Sequence, residues 1–216
     1  PKSESRREYS SSDMNYLSHN LDELSNALYG LSSTLEGKFY SAEQNRFALL
    51  TGRAGTGKSH TLGTVAQKAI SDGHPVILIL GQELGSQGFW RQATEILGLG
   101  IVEPEIFLQA MSSAAEAAQK RGLILIDAIN EGAGAQLWRN ELPALIARVN
   151  AYENLVLVVT CRTEYTPYVV PPKVMETTVA FSIRGFVTNE EQSRAAKIYL
   201  HKRGISQPDT PWLSAE

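Results

Sequence analysis

The sequence has one cysteine, Cys161, only four histidines, and no uninterrupted apolar run near the length of a membrane helix. A lone cysteine cannot close an internal disulfide, and a helix needs roughly 20 consecutive apolar residues to cross a bilayer. A disulfide-stapled scaffold and a helical membrane protein are both excluded as expectations, and the chain reads as cytoplasmic. An excess of either charge is also lacking. Twenty Lys and Arg against 23 Asp and Glu leave a net charge of −3, so no polybasic surface for nucleic acid or membrane is expected. His19, His60, His74 and His201 are scattered without metal-ligand spacing. His60 reads as a surface residue at a helix start.

What is present supports a sizeable core: 43% of the 216 residues are hydrophobic, enough for one large domain. Residues 1–12, PKSESRREYSSS, carry no apolar segment of a secretory signal and read as a disordered linker. The chain begins without Met and stops soon after Pro211-Trp212-Leu213-Ser214, so a piece of a longer protein is expected. From Asp13, an N-cap candidate, Met14, Leu17, Leu21, Leu24, Leu28 and Leu31 recur at gaps of three and four. That spacing predicts an amphipathic helix over 13–36, packed on the module's own sheet or docked on a neighbour.

Over 37–187, short apolar runs alternate with helix-like stretches, the pattern of an α/β fold with a parallel sheet. Strands are expected at 46–51, 75–80, 122–127, 154–160 and 177–183. Runs such as Val76-Ile77-Leu78-Ile79-Leu80 and Leu155-Val156-Leu157-Val158-Val159 suit strands buried on both faces. Helices are expected at 59–71, 88–97, 104–121 and 136–150. A last helix opens at Thr188, whose pairing with Glu191 makes a capping box, and ends near Arg203 before Gly204. The stretch from Gly81 to Gly88 reads as a plain connecting loop.

The chemistry begins with Gly52-Arg53-Ala54-Gly55-Thr56-Gly57-Lys58-Ser59, which satisfies G-x-x-x-x-G-K-[ST] between an apolar run and a helix-like stretch. Glycines at 52, 55 and 57 let the backbone wrap a phosphate so that successive N–H groups face its oxygens at a helix N-terminus. Lys58 adds a positive charge for the β and γ phosphates, and Ser59 offers a hydroxyl to Mg²⁺. Cofactor-binding residues are thus expected at Gly52, Arg53, Ala54, Gly55, Thr56, Gly57, Lys58, Ser59 and His60.

A second constellation follows. Leu123-Ile124-Leu125-Ile126-Asp127 is an apolar run ending in a carboxylate, which places the acid at the carboxyl end of a strand, where Asp127 would serve Mg²⁺. Four residues later Glu131 is the candidate to activate water, with Asn130 as the other group able to position it. The next apolar run ends Thr160-Cys161-Arg162. The Arg162 guanidinium either reads the γ-phosphate or makes an ordinary salt bridge. Cys161 reads as a packing residue. No Asn-Lys-x-Asp signature for guanine is present, so ATP is the expected nucleotide.

The stretches GRAGTGKSHTL, LILGQELGSQGFW, LILIDAINEG, LVLVVTCRTEY and RGFVTNEEQSRAAKIYLHKRGI together resemble the NACHT-like branch of STAND NTPases, signal-transduction ATPases related to AAA+ proteins. The resemblance covers about residues 37–213 and looks closest to the bacterial antiviral STAND proteins called Avs. It implies a three-layer αβα fold with sheet order 5-1-4-3-2, and a core at 37–187 followed at 188–216 by the truncated start of a helical lid. It implies catalytic roles for Glu131, Lys58 and Arg162, Mg²⁺ at Ser59 and Asp127, and homo-oligomerisation on sensing a phage protein, with a linked effector outside this piece. Asn130 departs from the pattern, standing where the first of two acids is usual. Two other readings remain: an AAA+-type ATPase acting on DNA or protein, with Arg121, Arg139 or Arg148 as a finger, and a P-loop kinase.

Overall fold

Branched aliphatic side chains suit a pleated surface covered on both sides, and the runs richest in them are the strands. In a computed structural model, residue 37, residues 44–186 and residues 188–205 are described; the linker expected at 1–12 and the helix expected at 13–36 lie outside them. From Asn45 onward the chain is one unit. Its elements are β1 (Phe47–Gly52), α1 (Lys58–Ser71), β2 (Val76–Leu80), α2 (Phe89–Ile96), α3 (Pro104–Ala118), β3 (Gly122–Asp127), α4 (Gly134–Asn150), β4 (Leu155–Arg162), α5 (Thr166–Val169), α6 (Pro172–Thr177), β5 (Val179–Ser182) and α7 (Asn189–Lys202).

The sheet runs β2-β3-β4-β1-β5, and every pairing is parallel. From the other edge this is the expected 5-1-4-3-2. Side chains alternate between faces along a strand, and the alternation sorts the core into layers. Ile77, Ile79, Ile124, Ile126, Leu157 and Val159 meet Leu108, Met111, Trp138 and Leu142 of α3 and α4 on one face. Val76, Leu123, Leu125 and Val158 meet Leu62 and Ala66 of α1 on the other. Fully burying one such aliphatic side chain contributes about 1.5–3 kcal/mol.

β2 corrects one expectation. Among the described residues it is an edge strand, and Leu78 remains 38% exposed, because its face lies at the margin of the layer that α1 covers. β5 is shorter than the expected 177–183. α3 stops at Ala118 because Gln119 turns left-handed, with φ 55°. α5 and α6, of four and six residues, are too short for their periodicity to be read; Pro167 and Pro172 open them in the first turn, where proline costs no hydrogen bond. The capping box of α7 is present: Glu191 N–H donates to Thr188 Oγ1 at 3.2 Å, and Thr188 N–H to Glu191 Oε2 at 3.1 Å.

The stretch from Gly81 to Gly88 is more than a connector. Residues Gly81–Glu83 form a 3₁₀ turn, and a Cβ on Gly81 would press into the carbonyl oxygens of Ala128 and of Asp127, the latter at 2.7 Å. Gly132, at φ +62°, meets the carbonyls of Gly81 and Leu84 in the same way, and Ala133 N–H donates to Leu84 O at 3.0 Å. The loop after β2 is thereby seated on the loop after β3. Gly81→Ala is expected to cost about 1–3 kcal/mol, since backbone rather than a flexible side chain must yield; an unshifted urea midpoint would show that the two loops are not in tight contact.

Candidate functional site

The phosphate loop is built by two different demands on glycine. At Gly52 the demand is space: a Cβ would meet Ile183 O at 2.6 Å and Thr56 Oγ1 at 2.7 Å. At Gly55 and Gly57 it is conformation, with φ of +75° and +91° and open space around both. Thr56 Oγ1 donates to Arg53 O at 2.9 Å, folding the loop on itself. Gly57 then caps α1, whose first-turn N–H groups have no partner within the helix. Lys58 is not a freely mobile charge. It is buried, and Nζ donates to Gly52 O and Arg53 O, both at 2.8 Å. Burial, and after it the positive Arg162, hold its ammonium below the ordinary lysine pKa, while Asp127 pulls the other way.

Period-two alternation places the acidic half. Asp127 shares a face with Leu123 and Leu125, and Thr160 and Arg162 share a face with Val158, so all three lie on the α1 side, where the phosphate loop is. The register sets Ile126 beside Val159, which makes the next pair Asp127 and Thr160. Thr160, fully buried, donates its hydroxyl to Asp127 Oδ1 at 2.5 Å and accepts Ala128 N–H at 2.7 Å. Its carbonyl accepts Ile129 N–H at 2.9 Å. One residue therefore holds three successive positions of the acidic loop, including Ala128, which carries a left-handed φ of 54°.

Beyond Ala128 the loop turns back: Glu131 N–H donates to Ala128 O at 2.9 Å. Asn130, considered above for water, uses its side-chain oxygen instead to accept Arg162 N–H at 2.9 Å. Arg162 Nη2 donates to Glu131 Oε1 at 2.8 Å. A cavity of about 260 Å³ lies between the two halves, lined by Ala54, Gly55, Gly57, Lys58, Ser59 and His60 on one side and by Asp127, Ala128, Asn130, Glu131, Thr160 and Arg162 on the other. Gly52, Arg53 and Thr56 shape the loop without lining it; Arg53 points outward to Glu164 at 3.8 Å.

The phosphate-loop motif closes β1, an acid closes β3, and β4 lies between them. The chain has the P-loop αβα fold, with β4 set between the two motif-bearing strands. No protein-family model and no curated protein matches the sequence. Among solved structures it is similar to AMPPCP-bound DnaA from Aquifex aeolicus, at 16% identity and TM-score 0.49, covering 75% of this chain and 47% of that one. It is also similar to a DNA replication initiation factor, at 15%, 0.47, 75% and 46%, and to C. elegans PCH-2, at 17%, 0.47, 86% and 50%. The chain spans about half the length of each.

Thr160 was not legible as a site residue, and Asn130 was legible only as a candidate for positioning water, not as the group that holds Arg162. The only signal for Thr160 was a hydroxyl two places before Arg162 in a strand otherwise of branched aliphatics. Cys161 is fully buried among apolar neighbours, and that burial raises its thiol pKa, so it is the packing residue expected. His60 is exposed near the start of α1, as read. Of the finger candidates, Arg148 pairs with Glu105, Arg121 immediately precedes β3 at the opposite edge of the sheet, and Arg139 is exposed on α4. Among the described residues, no helix is long and apolar enough to cross a membrane. Thr160→Val keeps the volume and leaves Ala128 N–H and a carboxylate oxygen without their partner. It is expected to lower stability by about 1–3 kcal/mol, with Thr160→Ser recovering most of the loss in urea unfolding; equal stability of all three would remove Thr160 from its clamping role.

Proposed function

We propose that this chain is the Mg²⁺-dependent ATP-binding and hydrolysing module of a STAND-type signalling ATPase, one that oligomerises on sensing a trigger and activates a linked effector. The observation that carries the ATPase reading is the convergence of Lys58, Ser59, Asp127, Glu131 and Arg162 on one cavity at the carboxyl edge of a parallel sheet, where α/β folds bind ligands. The loop amides and Lys58 take the phosphates. Among the described residues no cluster of three or more His, Cys, Asp or Glu forms a metal cage. The Ser59 hydroxyl and the Asp127 carboxylate, which both belong to residues lining the cavity, fit Mg²⁺, which uses one or two carboxylates together with substrate phosphates and water. Ser59 and Asp127 would hold it, and the ion would neutralise charge on the phosphates.

In the proposed hydrolysis, a water oxygen attacks the γ-phosphorus, its proton passes to Glu131, and the bond from the γ-phosphorus to the β–γ bridging oxygen breaks to leave ADP and phosphate. Arg162 senses the γ-phosphate. Residues 188–205, opening with the capped α7, begin the lid that nucleotide fastens to the core. The STAND assignment and the antiphage role rest on the sequence stretches quoted above, with a phage protein as trigger. The strand order suits a second reading equally, an ATPase acting on DNA or protein, which predicts turnover stimulated by DNA or a protein substrate. Lys58→Ala is expected to weaken MgATP binding about 10- to 100-fold in calorimetry, and Glu131→Gln to cut turnover about 100-fold or more while ATP still binds. Unchanged affinity in the first would sink the phosphate-loop reading; wild-type turnover in the second would move the water-activating role elsewhere.

A further inference from the structure

Arg162 is anchored at its root and committed at its tip. Its backbone N–H is held by Asn130 Oδ1 at 2.9 Å, and its Nη2 donates to Glu131 Oε1 at 2.8 Å. The pair has 40% and 33% of its side-chain surface exposed, and both residues line the cavity. Glu131 is fixed in its backbone by the turn to Ala128 O, so its side chain can swing away without rebuilding the loop. The contact engages one guanidinium nitrogen and is partly solvated, which makes it weak enough to exchange. A phosphate oxygen is a stronger charge-assisted acceptor for arginine than an exposed carboxylate held by one bond.

We propose that Glu131 and the terminal phosphate of a bound triphosphate compete for Arg162, so that Glu131, besides acting on water, sets how strongly the site prefers tri- to diphosphate. The proposal rests on the ATP-binding reading above. A diphosphate leaves the Glu131–Arg162 pair in place. A triphosphate draws Arg162 to itself and frees the Glu131 carboxylate, so the base is released only when there is a phosphate to cleave. Arg162 lies near enough to Lys58 to disfavour the lysine's positive charge, and an anion between them relieves that repulsion. The preference is a difference between two affinities, and a group that opposes only one ligand lowers it.

The test is calorimetry on the 216-residue chain with Mg²⁺, using ADP and a β,γ-methylene ATP analogue that cannot be cleaved, on wild type, Glu131→Gln, Arg162→Ala and the double variant. Glu131→Gln is expected to raise the affinity ratio of analogue over ADP about 2- to 5-fold, the range of a partly exposed ion pair. In the Arg162→Ala background the same change is expected to leave the ratio where it was. An unchanged ratio in the first comparison overturns the proposal. So does an equal rise in both backgrounds, which would mean plain repulsion between Glu131 and phosphate. Arg162→Gln repeats the comparison with a bulkier neutral side chain. If the wild type binds neither nucleotide, the ATP reading itself falls; if it binds both and the ratios do not respond, only the competition does.

Discussion

β4 lies hydrogen-bonded between β1 and β3, and the site depends on that parallel arrangement. It brings three chain reversals to one edge: the phosphate loop after Gly52, the acidic loop after Asp127, and Arg162. Backbone pairing alone would leave the acid free to turn. The Thr160 hydroxyl removes that freedom by accepting Ala128 N–H and donating its one proton to Asp127 Oδ1. A buried carboxylate without such a partner would carry a desolvation penalty of its own. Fixing one oxygen leaves the other side of the Asp127 carboxylate to the cavity. The left-handed Ala128 and the mutual approach of Gly81 and Gly132 belong to the same construction, which holds the acidic loop from three directions.

Electrostatically the cavity is balanced by its own walls. Lys58 serves carbonyls of its own loop, Arg162 serves Glu131, and Asp127 serves Thr160. Binding a phosphate chain is therefore an exchange of partners, and its strength depends on the difference between old and new bonds. Exchange also couples events that a rigid, fully dedicated site would keep separate. Moving Arg162 changes the surroundings of Glu131 and Lys58 together, which suits a module meant to report the state of its nucleotide as well as consume it.

The layers were legible because they follow from strong signals: five aliphatic runs, a complete phosphate-loop motif, and an apolar strand ending in Asp127. The residue stretches that resemble a known branch supplied the order of the strands, which periodicity does not contain. Other features depended on who lies beside whom. Leu78 reads as core from its run and is partly exposed because β2 is the edge strand of the sheet among the described residues. Asn130 reads as a water-positioning group and proves to brace Arg162. Thr160 reads as one more branched residue of a strand until its register with the acid is known. Arg162 had two readings, phosphate reader or salt bridge; the structure contains the salt bridge, and the exchange proposed above makes the two compatible.

The proposed function requires that the backbone between Gly52 and Ser59 receive a triphosphate. Amide chemical shifts of the ¹⁵N-labelled chain during a MgATP titration test it most directly, because the groups observed are those said to bind. Large, saturable shifts are expected at Gly55, Gly57, Lys58 and Ser59, with smaller ones at Asn130 and Glu131. Shifts that never saturate, or that cluster away from this loop, would contradict that requirement.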